Sequence, residues 1–179
     1  MLRNVRQQVT STTKYTNAEA VAAVNAAGIV LADGKSVKLE ETLAVDHTYS
    51  GITCDGIAGE ELTFGELIYL DDTNHRWWKC QADDEDTHGA KRLLGMMVTN
   101  DTIAAAGAIL VLLLGFITDA SFSLSGFGAP IFISAATAGA ITETAPTGTT
   151  GFIVRIIGHT HDDANTFYFN PDATYVEIS

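Results

Sequence analysis

The chain has 179 residues, 46% of them hydrophobic and 18% charged, and a formal net charge of −12. That length can bury a real core, and it suits one β domain with an appendage better than two full domains. The acidic balance argues against nucleic acid as a partner of the main body, because phosphate binding needs clustered Lys and Arg.

The charge is unevenly placed. Arg3, Arg6 and Lys14 are the only charged side chains before Glu19, so the opening carries +3 and the remainder −15 of the net −12. Residues 1–15 show no hydrophobic period and read as an extended basic arm, either a docking segment with Arg3, Arg6 and Lys14 as its partner-binding residues or a solvated tail. No apolar stretch follows the basic residues, so the arm is not expected to be a signal peptide.

Thr16-Asn17-Ala18-Glu19 has the spacing of a capping box. The alanine-rich run after it predicts a short helix over 16–28, ended by Gly28 in a left-handed cap. A helix this short is marginal alone in water, so its face, with Val21 and Val24, must pack either on copies from neighbouring subunits or on its own β body. The oligomer contact is the reading carried forward for Val21 and Val24. Residues 29–48 form a connecting segment, with a short strand at Ile29-Val30-Leu31, a turn at Asp33-Gly34 and a loosely alternating stretch from Val37 to Val45.

From residue 49 to 179 short apolar runs alternate with Gly, Asp or Asn turns. Gly51, Gly56 and Gly59 punctuate the first part. Ile68-Tyr69-Leu70, the turn Asp71 to Asn74 and Arg76 to Cys80 predict a hairpin. Further strands are expected within 92–98, 129–134, 152–158, 166–169 and 174–178. The apolar run Ile103 to Ile117 is shorter than the roughly 18–20 residues of a membrane span and is divided by Gly107 and Gly115. It reads as a turn followed by a strand buried on both faces, and no membrane partner is expected. The fold class is therefore mainly β, a compact antiparallel β-sandwich or barrel preceded by the arm and one short α-helix.

Candidate chemistry is sparse. His159 and His161 lie on one face of a strand and could share a metal, but two ligands do not make a site and Asp162-Asp163 reads as a turn. The acidic run 83–86, with Asp71 and Asp72, lacks the ligand spacing of an EF-hand loop. No metal and no cofactor are expected. Cys54 and Cys80 are too few for a disulfide framework and lack metal-ligand spacing; they read as free thiols, with pairing left open. Trp77 and Trp78 are adjacent, so in a strand one ring points to the core and the other to the opposite face. The outward ring could stack on sugar, cover a subunit contact or lie against a long side chain, and the oligomer contact is preferred. No Gly-x-Ser-x-Gly elbow or comparable catalytic signature is present, so no catalytic residues are assigned.

The order of motifs resembles virion proteins of tailed bacteriophages, notably small capsid decoration proteins, head fibres and tail-fibre modules. It runs through Leu62-Thr63-Phe64-Gly65-Glu66-Leu67-Ile68-Tyr69-Leu70, Trp78-Lys79-Cys80-Gln81-Ala82, Leu94-Gly95-Met96 and Gly115-Phe116-Ile117. It continues in Gly128-Ala129-Pro130-Ile131-Phe132-Ile133-Ser134, Gly139-Ala140-Ile141-Thr142, Ile157-Gly158 and Thr166-Phe167-Tyr168-Phe169-Asn170-Pro171. The segment Lys14 to Val24 is similar to helices that precede such modules. The resemblance implies a non-enzymatic structural protein, a homotrimer assembled in the host cytoplasm and displayed on the virion, bound to the major capsid protein or another virion protein. The chain lacks the extended heptads or triple-helical repeats of a long fibre, which favours a capsid decoration or short head-fibre role. The alternative is a tail-fibre or host-recognition module that binds a cell-surface glycan.

Overall fold

A computed structural model describes residues 33–34, 36–83, 88–161 and 165–179. The arm over 1–15, the helix over 16–28 and the strand at 29–31 lie outside the described residues. The chain divides into two compact units, Met1–Lys38 and Leu39–Ser179. In the first, Asp33-Gly34 forms the expected turn, with Gly34 at a φ of 73°. The second is mainly β.

Its strands are β1 (Thr48–Ile57), β2 (Leu67–Leu70), β3 (Trp77–Lys79), β4 (Leu94–Met97), β5 (Ala108–Thr118), β6 (Pro130–Ile133), β7 (Ile141–Thr142), β8 (Ile153–Val154), β9 (Ile156–Thr160), β10 (Thr166–Phe169) and β11 (Val176–Glu177). Nine of them form one antiparallel sheet in the order β3-β2-β4-β5-β10-β9-β6-β7, with β1 also paired to β5; β8 and β11 form a separate ribbon. The expected sandwich or barrel takes the form of a single curled sheet, a half-barrel.

Residues near its two ends are joined by a few backbone hydrogen bonds outside the ladders. Leu67 N donates to Gly139 O at 2.8 Å, Gly139 N to Cys80 O at 2.8 Å and Ala82 N to Ser134 O at 3.0 Å. Period-2 alternation then sorts the side chains. Leu67, Tyr69, Leu94, Met96, Leu112, Ile117, Ile131, Ile133, Phe167 and Phe169 point into the curl and form the main core. Ile68, Met97, Ile109 and Val111 point the other way into a second core, which Ala58, Leu62 and Trp77 cover. The long apolar run thus becomes a turn at 105–106 and the strand β5, which contributes to cores on both faces.

Several expectations change. Gly51 and Gly56 lie inside β1 and do not break it. At Gly51 a Cβ would lie 2.1 Å from Leu114 O, so the chains approach too closely there for any side chain. The run 152–158 is two strands, β8 and β9, separated by the buried Arg155. The hairpin of β2 and β3 forms as expected. Its turn is held by Asp71 Oδ1, which accepts from the amides of Thr73 and Asn74, each at 2.9 Å.

Candidate functional site

The last β1–β5 pair is Thr48 with Thr118. Antiparallel register therefore carries the residues just before β1, Asp46 and His47, opposite the residue just after β5, Asp119. The pairing extends past the strands, because Ala120 N donates to Asp46 Oδ1 at 2.8 Å. Asp119 turns its side chain inward, where Oδ1 accepts from Ser121 N at 2.8 Å. Its side chain is 6% exposed, whereas Asp46 and His47 are open to solvent.

His47 has a φ of 55°, a left-handed conformation that few non-glycine residues adopt. Its ring stacks on Phe64, with centroids 4.9 Å apart and planes at 29°. That placement sets Nε2 at 3.6 Å from Asp119 Oδ2 and 3.7 Å from Asp46 Oδ2. One potential ligand atom from each of the three residues lies within 4.8 Å of the others. A cavity of about 320 Å³ opens beside them, lined also by Phe64, Asn100, Asp101 and Thr102. Gly65, at a φ of 82°, leaves room for the buried carboxylate: a Cβ there would lie 2.5 Å from Asp119 Oδ2. One imidazole nitrogen and two carboxylates thus converge at the mouth of this cavity.

A second feature is the edge of the sheet. β1 pairs with β5 along its whole length and with no other strand among the described residues. Near its start Glu40 N donates to Ser50 Oγ at 2.8 Å. Asp55 is its only charged residue. Ile52 and Ile57 are 59% and 41% exposed, and their odd separation puts them on opposite faces of the strand. A ten-residue strand with two exposed isoleucines and no second partner among the described residues is a template for pairing with another chain.

The residues singled out from sequence fall elsewhere. Arg3, Arg6, Lys14, Val21 and Val24 lie outside the described residues. Trp77 is 3% exposed and belongs to the second core; its ring lies over Gly56, where a Cβ would be 2.5 Å away. Trp78 is partly buried against the main core and over Gly59, where a Cβ would be 2.2 Å from its ring, and its Nε1 donates to Asn74 Oδ1 at 3.4 Å. Both indoles thus meet their own chain through glycines that the sequence presents as turn markers. His159 is exposed on β9, while His161 packs edge-on against Phe116 at 4.9 Å. Asp162 and Asp163 lie outside the described residues, as does most of the acidic run 83–86. Of that run Asp83 is described, and it pairs with His88 Nδ1 at 3.1 Å.

Sequence reasoning passed over Asp46, His47 and Asp119. The signal that could have found them is the pairing of 48–57 with 108–118, which brings their flanks together. Comparison with family models, with curated proteins and with solved structures finds no match in any of the three.

Proposed function

We propose that the chain is a non-enzymatic structural protein of a tailed-phage particle, a capsid decoration or head-fibre protein that acts as a homotrimer. In this reading the β unit stands on the outer shell, copies join along β1, and the basic arm with Arg3, Arg6 and Lys14 holds the major capsid protein or another virion protein. The observation that carries it is the β1 edge. A ten-residue strand with one charge and exposed isoleucines on both faces lacks the lysines, prolines and short length that keep solitary proteins from pairing edge to edge. The order of β motifs from Leu62 to Pro171, similar to phage decoration and fibre modules, gives the reading its setting.

The alternative, a host-recognition module that stacks a cell-surface glycan on Trp77 or Trp78, has less to rest on. A stacking platform needs an open ring face, and Trp77 is 3% exposed.

The test is occupancy on particles that lack the native protein. Full-length chain should cosediment with them, and a chain without residues 1–15 should not, while circular dichroism shows the same β signal for both. Equal occupancy by the two forms would defeat the proposal.

A further inference from the structure

The geometry points to a divalent transition-metal site formed by Asp46, His47 and Asp119, of a class that takes Zn²⁺ or Mn²⁺. Two independent observations meet there. The first is the spacing. His47 Nε2 stands 3.6 Å from one carboxylate oxygen and 3.7 Å from another, beyond the range of an N–H···O hydrogen bond. Ligands held at about 2.1 Å from one metal in a tetrahedral shell are about 3.4 Å apart. The imidazole nitrogen therefore already lies near ligand spacing from both carboxylates, and a single N–H could not serve both.

The second is the state of Asp119. Its carboxylate is 6% exposed, and Oδ1 is used by Ser121 N. Oδ2 faces His47 Nε2 at 3.6 Å, an ion-pair distance. Buried carboxylates are paired or coordinate metals. The adjoining cavity of about 320 Å³, with Asn100 and Asp101 on its wall, has room for the water molecules that would complete the shell.

The donor set selects the ion. One imidazole with two carboxylates suits Zn²⁺ or Mn²⁺ better than Ca²⁺, which takes oxygen ligands alone. The stacked Phe64 ring orients the imidazole, and Gly65 leaves space for the buried carboxylate. A metal here would bridge the start of β1 to the end of β5. It would thus act as a clasp on the longest strand pair, and its binding would stabilise the folded chain by mass action.

The experiment uses the full chain stripped with EDTA and titrated with Zn²⁺, Mn²⁺ or Ca²⁺ by calorimetry, with thermal unfolding in parallel. One Zn²⁺ or Mn²⁺ per chain is expected, with a rise in Tm. His47→Gly keeps the left-handed backbone and removes the imidazole; Asp46→Asn keeps an acceptor for Ala120 N. Each should weaken binding at least about tenfold, since even loss of an outer-shell partner costs 10–100-fold, while the metal-free Tm stays close to that of the native chain. Undiminished binding by folded His47→Gly would place the ion elsewhere and overturn the inference. So would stronger binding of Ca²⁺ than of Zn²⁺ or Mn²⁺, or no calorimetric signal at millimolar metal.

Discussion

Arg155 brings a charge into the body of the protein and spends all of its described hydrogen bonds on backbone. Its Nε donates to Asp172 O at 2.8 Å, and Nη1 donates to Ala90 O at 3.0 Å and Arg92 O at 2.8 Å. Burial pulls the guanidinium pKa down from its ordinary value, yet an arginine stays charged in a protein. One side chain thus ties the loop before β4 to the segment after β10, across the break between β8 and β9. Arg155→Met keeps the stem and removes every donor, leaving three carbonyls to find new partners. It should destabilise the fold by about 3 kcal/mol, seen in urea unfolding as a lower midpoint with unchanged slope. A midpoint within error of the native value would show that the carbonyls are satisfied without it. Gly56 and Gly59 illustrate the same scale: a missing side chain is what lets an indole lie on the backbone.

Among the strands, β1 and β5 do the most to set the architecture. β5 is paired with β1 from end to end, and its other pairing positions are divided between β4 at Val111-Leu112 and β10 at Gly115–Thr118. A bulge at Ile52/Thr53 bends the pair, and the facing Gly51 and Gly115 let the backbones approach there. Among the described residues β1 is the outer strand, and its other edge belongs to the proposed subunit contact. The double variant Ile52→Lys, Ile57→Lys places a charge on each face of that edge, the device by which natural sheets avoid association. Light scattering should show the native chain as an oligomer and the variant as a monomer with the same circular dichroism. A variant that keeps the native mass would remove β1 from the interface.

At the scale of the whole molecule the two thiols report on separate cores. Cys80 is fully buried in the main core, and burial drives its thiol pKa far up. Cys54 is partly exposed beside the second core, its pKa raised first by burial and then by Asp55. Both shifts favour the neutral thiol, so less of the reactive thiolate is present at any pH below the raised values. A thiol reagent at mildly alkaline pH should modify Cys54 in the native protein, faster as pH rises. Cys80 should react only with global unfolding, because its opening needs the curl itself to open. Equal labelling rates for the two would mean that the main core opens locally.

Much of this body was legible from residue order, because local physics writes it there. The hairpin at 67–79, the turn and strand within 103–117, the strand at 166–169 and the turn at Asp33-Gly34 follow from side-chain alternation and turn chemistry between near neighbours. The pairing of β1 with β5, the meeting of Gly139 with Leu67 and Cys80, and the inward turn of Arg155 could not be read in that way. Strand pairing between segments some sixty residues apart depends on which edges remain available once the sheet curls, and no local pattern encodes that. The Asp46, His47 and Asp119 cluster belongs to this second kind. Composition makes each of the three an ordinary polar residue flanking a strand, and the antiparallel register of β1 on β5 brings them together around one point.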